Sequence, residues 1–246
     1  MEFTFSPIAV VRSCFKEKFG IPRQPGLIPE ACGVIELLAP YDREASIRGL
    51  ESFSHLWLIF VFHANPPRRP RSTVRPPRLG GNRRMGVFAT RSGFRPNPIG
   101  MSVVEMTEIE TGPDGVRIHV KGLDLLDGTP VLDLKPYLPY ADRVVEATSS
   151  LAAAAPSSRV HVSFTPAAEA FCREYQGSTG VPLAELVVRM LSADPRPAYV
   201  RGSSRRRSHG VRLMDLDVRW EVLEGGFLVS EILRSMDRDP PGCRGR

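Results

Sequence analysis

The sequence predicts a mainly β amino-terminal domain, folded as a barrel or a sandwich, followed by a small α+β domain. Up to Pro136 the chain consists of short strand-like segments separated by Gly- and Pro-containing turns, with one brief helix among them. Residues 147–158 are mostly Ala, Ser and Pro, a composition typical of a linker. Helical patterns and a hairpin follow. We therefore assign residues 1–146 to the first domain, 147–158 to the linker and 159–246 to the second domain.

Six segments of the first domain carry strand signals. The run between His55 and His63 is apolar throughout and too short for a typical helix, which favours a strand buried on both faces. Asp42 is a candidate N-cap for a helix of one or two turns that extends through Arg48 and ends at Gly49. The predicted strands are 3–12, 32–38, 55–63, 103–110, 116–121 and 130–136.

The second domain begins with two predicted helices, 166–176 and 182–193. Thr165 is placed to cap the first helix, and Pro166 fits its first turn. A hairpin is predicted where Gly225-Gly226 separates two strand patterns. Apolar residues recur at helical spacing in the second helix and form one face, which we assign to core packing: Leu183, Leu186, Val187, Met190 and Leu191.

Positive charge is concentrated in one stretch. Between Ser52 and Val104 there are nine arginines and no Asp, Glu or Lys, although the whole chain has a net charge of only +6. Because the guanidinium fork binds phosphate bidentately and stacks on bases, the expected partner is a polyanion, first of all RNA or DNA. A solvated basic loop is the alternative. Val87-Phe-Ala-Thr in this stretch predicts a buried strand. The arginines are Arg68, Arg69, Arg71, Arg75, Arg78, Arg83, Arg84, Arg91 and Arg95.

Two segments near predicted strands are candidates for ligand contacts. His63 ends a predicted strand, where a structural histidine and a ligand-binding one are both typical. Gln24-Pro25-Gly26 predicts a loop. It is either a plain turn with Gly26 at positive φ or backbone that approaches a ligand, with Gln24 against a base edge.

Three aspartates, Asp124, Asp127 and Asp133, cluster near the end of the first domain. Asp127 precedes Gly128 in a turn signal and is expected to bind backbone. Asp133 and Lys135 lie two residues apart on one strand and therefore share a face. They form either an ion pair or contacts to a ligand.

Several protein classes are excluded by what the sequence lacks. It has no P-loop and no Rossmann fingerprint, so no ordinary nucleotide site is expected. Its four cysteines form no C-x-x-C pair, and no metal site is expected. The longest apolar run is too short for a membrane span, and the first residues do not resemble a secretory signal. The expected location is the cytoplasm.

Longer motifs occur together in the first domain and have a shared resemblance. They are Pro22-Arg23-Gln24-Pro25-Gly26, Gly49-Leu-Glu-Ser-Phe-Ser-His55-Leu-Trp57, Arg75-Pro-Pro-Arg78-Leu-Gly-Gly-Asn82, Phe88-Ala-Thr-Arg91, Phe94-Arg95-Pro96-Asn97-Pro98-Ile99-Gly100 and Leu126-Asp127-Gly128-Thr129-Pro130 with Asp133-Leu-Lys135-Pro136-Tyr137. Over about residues 1–141 the chain resembles the TsaA/YaeB-like family, the tRNA N6-threonylcarbamoyladenosine methyltransferases called TrmO. Asp194-Pro195-Arg196-Pro197-Ala198-Tyr199 and Asp217-Val218-Arg219-Trp220 look like bacterial members.

The resemblance implies a TsaA-like β-barrel of the class VIII methyltransferase type. Such enzymes transfer a methyl group from S-adenosylmethionine to N6 of threonylcarbamoyladenosine at position 37, in the anticodon loop of threonine tRNA. A homodimer with the cofactor near the subunit interface is implied, as is a second domain that orients the tRNA. Carried over by motif, the cofactor contacts are Gln24, Pro25, Gly26, Phe62, His63, Ala64, Arg91, Asp133, Leu134, Lys135 and Pro136.

Methyl transfer from a sulfonium needs alignment more than a strong catalyst, and orientation alone supplies about 7–11 kcal/mol of the barrier. The attacking nitrogen loses a proton, so Asp133 or His63 is a candidate weak base. A non-catalytic RNA-binding barrel and a methyltransferase for another nucleotide substrate are the alternatives. The residues expected to contact RNA are Arg75, Arg78, Arg83, Arg84, Arg95, Asn97, Arg196, Tyr199 and Arg219.

Overall fold

The computed structural model describes residues 2–66, 72–76, 83–152, 154, 160–196 and 208–235. Six antiparallel strands close into a barrel in the order β1-β2-β7-β6-β3-β8, which confirms the prediction of a mainly β barrel fold. A two-stranded ribbon, β4 (Thr73–Val74) and β5 (Met85–Gly86), lies in the long connection between β3 and β6. The barrel strands are β1 (Ala9–Ser13), β2 (Cys32–Leu37), β3 (His55–Val61), β6 (Ile99–Gly112), β7 (Gly115–Lys121) and β8 (Thr129–Pro136).

The central strand β3 differs from its prediction. Leu56, Leu58 and Phe60 point into the barrel and are buried, whereas the side chains between them are only half-buried. A closed barrel has a single interior, so a strand within it buries one face and leaves the other to an outside partner or to water. The prediction of burial on both faces is therefore wrong within one copy of the chain.

A second sheet, in the order β10-β11-β12-β9, forms the carboxy-terminal part of the molecule. Two helices pack against it, and the apolar face predicted for the second of them is fully buried. Thr165 caps the first helix by accepting a hydrogen bond from the amide of Ala168, as predicted. The elements are β9 (His161–Phe164), α3 (Pro166–Thr179), α4 (Leu183–Ser192), β10 (Ser208–Leu213), β11 (Leu216–Leu223) and β12 (Gly226–Arg234).

The β1–β2 connection, residues 14–31, packs into the hydrophobic core formed by α3, α4 and this second sheet. We call that core the second core. Cys14, Phe15, Ile28 and Ala31 are buried in it. Phe15 bridges Leu213, and the amide of Met214 donates to the carbonyl of Cys14 at 2.7 Å. The connection therefore covers the outer edge of β10, which would otherwise be an unpaired sheet edge.

Two local predictions are wrong. Val87-Phe-Ala-Thr forms a single 3-10 turn over Val87–Ala89 instead of a strand, with Val87 buried and Phe88 79% exposed. Four residues give too little pattern to distinguish such a turn from a strand.

The helix predicted after Asp42, α1 (Glu44–Ile47), has Arg43 at its N-cap, without a side-chain cap. A further one-turn helix, α2 (Pro139–Asp142), follows β8. No helix in the described ranges is long and apolar enough to cross a membrane.

Candidate cofactor and RNA site

Three connections emerge at one end of the barrel, which we call the open end. They are the β1–β2 connection, the β3–β6 connection (residues 62–98) and the β7–β8 connection (residues 122–128). The strand register puts them there, because Ser13 pairs with Gly33, Val61 with Ile99 and Lys121 with Cys32. Residues distant in sequence meet at this end.

The Gln24-Pro25-Gly26 loop rests on the β7–β8 connection. Gly26 has φ of +74°, and its amide donates to the carbonyl of Gly122 at 2.9 Å. A Cβ on Gly122 would lie 3.4 Å from the Gly26 Cα, so the two backbones are in close contact. Positive φ and this approach explain glycine at both positions, since Gly122 also has φ of +73°.

Gln24 joins the β1–β2 connection to the β3–β6 connection. Its Oε1 accepts a hydrogen bond from Nη1 of Arg91 at 2.7 Å, and its Nε2 donates to the carbonyl of Arg23. Arg91 is exposed. The structure therefore brings together Gln24 and Arg91, two predicted cofactor residues that lie 67 positions apart in the chain.

The turn at Phe62, His63 and Ala64 lies at the same end. The amide of Phe62 donates to Pro98 O at 2.8 Å, which closes the base of the β3–β6 connection. The Phe62 ring meets Phe60 edge to face at 5.1 Å. His63 is exposed, so its imidazole is not part of the barrel core.

Lys18 holds this turn from the β1–β2 connection. Its Nζ donates to the carbonyl of Ala64 and to Oδ1 of Asn65, the latter at 3.2 Å. Gly93 closes over the turn, because a Cβ at this position would lie 2.8 Å from the Phe62 ring and from Asn65 Nδ2. Sequence reasoning assigned no role to Lys18.

Asp133 and Lys135 lie elsewhere, on the outward face of β8. They form an ion pair at 2.8 Å, in which the side chain of Lys135 is exposed and that of Asp133 is half-buried. They stand across from Ile59 and Trp57 of β3, whereas Leu134 between them points inward toward Leu58. Within the described part of the chain, no hydrogen bond or ion pair links Asp133 or Lys135 to Gln24 or Arg91. The predicted cofactor set therefore divides into two surfaces of one copy.

Asp124 is one of two aspartates in the β7–β8 connection at the open end. Its carboxylate accepts a hydrogen bond from the hydroxyl of Ser102 at 2.6 Å, and Ser102 is itself buried. Burial raises the pKa of Asp124 to about 6, while the Ser102 hydrogen bond and the charge of Arg91 act in the opposite direction. The sequence showed Asp124 only as one of three clustered aspartates, since its contact with Ser102 exists only in the fold.

Asp127 has the structural role predicted for it. One carboxylate oxygen accepts from the amide of Ser13 at 2.8 Å, and the other pairs with Lys16 at 2.9 Å. Its own amide donates to Phe15 O. These bonds fix the beginning of the β1–β2 connection.

The arginines of the β3–β6 connection differ in their surroundings. Arg75, Arg83, Arg84 and Arg91 are exposed, and Arg75 and Arg84 flank the β4–β5 ribbon. Arg95 is half-buried and donates to the carbonyls of Thr90 and Ser92 at 3.3 and 3.5 Å. Its guanidinium holds the turn that presents Arg91. Asn97 is exposed just before β6. Arg78 lies outside the described residues.

The predicted RNA contacts of the carboxy-terminal part are engaged with acids. Arg196 donates to both oxygens of Asp194 at 2.8 and 3.0 Å and lies over the ring of Phe227. Only 12% of its side chain is exposed. Arg219 is half-exposed and pairs with Glu231 at 3.0 Å and with Asp217 at 3.4 Å. Tyr199 lies outside the described residues.

Comparison with known proteins resolves the family. Two family models match, the tRNA-methyltransferase O N-terminal domain over residues 10–143 and the TrmO C-terminal domain over residues 157–235. The chain belongs to the TrmO family. The sequence-based resemblance is thereby confirmed, and it extends through the carboxy-terminal part.

Relatives match over nearly the whole chain. It is 50% identical to the tRNA (adenine(37)-N6)-methyltransferase of Escherichia coli over 228 residues, 92% of this chain and 96% of that protein. It is 51% identical over 220 residues to a putative S-adenosylmethionine-dependent methyltransferase, RcsF, of Pseudomonas aeruginosa, covering 89% and 93% of the two chains. A crystal structure of TrmO from Pseudomonas aeruginosa superposes with a TM-score of 0.78 at 42% identity, covering 95% and 99%.

Proposed function

We propose that this protein is a methyltransferase that uses S-adenosylmethionine to methylate N6 of adenosine 37 in tRNA. The observation that carries the proposal is the match to both TrmO domains, together with 50% identity to the Escherichia coli enzyme along nearly the full length of both chains. The open end supports it. There a loop with close backbone contacts, exposed arginines and a half-buried carboxylate lie side by side.

We further propose that the substrate is threonylcarbamoyladenosine in threonine tRNA, in the cytoplasm. Exposed arginines suit the phosphates of an anticodon loop, and single-stranded loops are read by stacking of their bases on aromatic side chains. Phe88, 79% exposed, and Phe94, 46% exposed, are such side chains beside Arg91. For methyl transfer, the protein needs only to align the two reactants and to remove one proton from the acceptor nitrogen.

The test is transfer of a labelled methyl group from S-adenosylmethionine to two tRNA pools. One carries threonylcarbamoyladenosine but lacks the methyl group, and the other lacks the threonylcarbamoyl group as well. We expect label in threonine tRNA of the first pool only. Label in both pools would mean that the enzyme methylates adenosine 37 without requiring the threonylcarbamoyl group. Label outside position 37 would refute the proposed function. Failure to bind the cofactor in calorimetry would favour a non-catalytic RNA-binding protein.

A homodimer is part of the proposal, and the outward face of β6, β3 and β8 is its interface. Ile99 and Met101 are 40% and 55% exposed there, in register with Val61 and Ile59 of β3. Contiguous exposed apolar surface on a sheet marks an interaction site. A second copy is the occupant we assign, because the apolar outer face of β3 suits an isologous contact with the same face.

The same arrangement explains the divided cofactor set. Asp133 and Lys135 border this apolar face, so a second copy seated on it would lie against them. We propose that Gln24 and Arg91 of one copy and Lys135 of the other complete one cofactor site. Each protomer then supplies half of two sites.

Mixed dimers test the shared site. Gln24→Ala and Lys135→Ala should each be nearly inactive, whereas a mixture of the two should regain about a quarter of wild-type activity through sites with no substituted residue. If the mixture regains no activity, Gln24 and Lys135 belong to the same copy's site.

Met101→Asp tests the interface and should yield a monomer in light scattering. Thr111→Asp, at an exposed position near the other end of β6, serves as the control.

A further inference from the structure

The β7–β8 connection carries a carboxylate that takes no part in the cofactor or RNA contacts predicted from the motifs. Asp124 stands between Leu123 and Leu125, both buried in the barrel core, whereas Asp124 itself is half-buried at the open end. Two apolar anchors therefore fix its backbone while the carboxylate remains within reach of a ligand. A residue held in this way keeps its orientation when substrate arrives.

In the described part of the chain, Asp124 forms no ion pair with a lysine or an arginine. Among the described residues, its donors are the Ser102 hydroxyl and its own backbone amide. The charged groups of the adjoining elements include Arg91, whose guanidinium donates to Gln24, the Lys16–Asp127 pair, and Lys18, which donates to Ala64. Asp133, one of the two bases suggested by the sequence, is half-buried and paired with Lys135, and the other, His63, is exposed. Asp124 therefore differs from Asp133 in having a neutral hydroxyl, not an ammonium group, as its side-chain partner.

We propose that Asp124 is the catalytic base, accepting the N6 proton of the target adenosine while the methyl group is transferred, and that Ser102 positions it. The step balances as a displacement. The N6 nitrogen forms a bond to the methyl carbon, the bond from that carbon to the sulfonium sulfur breaks with both electrons going to sulfur, and the N6 proton passes to the Asp124 carboxylate and then to water.

This inference rests on the proposed function, since it needs an adenosine nitrogen as the acceptor. The pKa of Asp124, raised to about 6 by burial, fits the role. The group is ionised at neutral pH, so it can accept a proton, and it is more basic than an exposed aspartate. The rate of methyl transfer should therefore rise with pH through this region and level off above it.

The experiment compares Asp124→Asn with wild type in single-turnover methyl transfer between pH 5 and pH 9. We expect a loss of about 100-fold or more at pH 8, typical of removing a general base, and no inflection near the pKa of the carboxylate. Affinities for S-adenosylmethionine and tRNA, measured separately, should stay within about threefold. The matched control is Asp114→Asn in the exposed β6–β7 turn, which should behave as wild type.

Ser102→Ala provides a second variant. Loss of the hydroxyl removes a hydrogen bond that lowers the pKa of Asp124, so the inflection of the profile should move to higher pH. The plateau rate should also fall, because the carboxylate is no longer held in position. Asp124→Ala should also recover rate on addition of formate, a small carboxylate that can occupy the vacated position.

The outcomes separate this inference from the proposed function. Wild-type rate and profile in Asp124→Asn would overturn it, and so would loss of cofactor affinity as the main effect, because that would make Asp124 a cofactor ligand. Absence of methyl transfer by wild type under all conditions would instead overturn the proposed function, and this inference with it.

Discussion

The two long connections at the open end contribute to the same site but are held in opposite ways. The β1–β2 connection is anchored in the second core, where Phe15 is 1% exposed. The β3–β6 connection leaves Phe88 79% exposed and is held at the open end by a few hydrogen bonds, among them those from Lys18 and Arg91. One connection forms a rigid support, and the other presents side chains to a ligand. Phe15 therefore contributes to stability, whereas Phe88 is available for binding.

Replacing Phe15 with Ala should give the largest effect on stability. Removing a fully buried phenylalanine leaves a cavity in the second core and should lower the free energy of unfolding by about 3–5 kcal/mol. The β1–β2 connection should loosen as well, so cofactor affinity should fall together with stability. Denaturant unfolding and calorimetry measure the two quantities. A loss of stability with unchanged cofactor affinity would show that the Gln24 loop is independent of the second core.

The matched change, Phe88→Ala, should reverse this pattern. Its side chain is exposed, so the free energy of unfolding should change by less than about 0.5 kcal/mol. If Phe88 stacks on a base, tRNA affinity should fall by about 1–3 kcal/mol in a filter-binding assay. Equal tRNA affinity of Phe88→Ala and wild type would mean that Phe88 does not contact RNA.

Arg91→Ala should weaken the bond between the two connections. Loss of the hydrogen bond to Gln24 and of one exposed cation should reduce methyl transfer about tenfold or more, with little change in the free energy of unfolding. Arg95→Ala should also destabilise the turn, because Arg95 binds backbone carbonyls. Thermal unfolding of both variants distinguishes the two roles, and an unstable Arg91→Ala protein would contradict the assignment.

Salt dependence isolates the contribution of the exposed arginines. The logarithm of the tRNA association constant should fall linearly with the logarithm of salt concentration. Arg83→Ala with Arg84→Ala should reduce the slope by about 0.7–0.9 for each phosphate that these arginines neutralise. Arg173→Ala on α3, where Arg173 pairs with Glu169, is the control and should leave the slope unchanged. An unchanged slope in the double variant would exclude these two arginines from phosphate binding.

Asp124 should also make the stability of the folded protein depend on pH. Its pKa is raised to about 6 in the folded protein from 3.8, so the folded state binds the proton more tightly than the unfolded chain. This contribution is fully present below about pH 3.8 and is lost as pH rises to about 6. The free energy of unfolding of Asp124→Asn should therefore increase relative to that of wild type as the pH rises from 4 to 6. Above pH 6 the difference between the two proteins should stay constant. A constant difference between pH 4 and pH 6 would show that Asp124 titrates as an exposed acid.

Local pattern predicted much of the fold. The apolar face of α4, the Thr165 cap and most barrel strands follow from periodicity and residue type, which act over a few neighbouring residues. The single turn at Val87 and the one-sided burial of β3 were not predicted. A short apolar run does not distinguish a strand from a turn, and it does not show how many faces of a strand are buried.

The sequence by itself determined the family, the arginine-rich stretch and the residues expected at the cofactor, since these depend on the identity and order of side chains. Only the tertiary structure decided which of them meet. Barrel closure joined Gln24 to Arg91 and Ser102 to Asp124, and it placed Asp133 on the outer wall. The physical reason is strand register. Pairing over long sequence separations fixes which connections share an end of the barrel and which face each strand residue presents, and no local pattern encodes it.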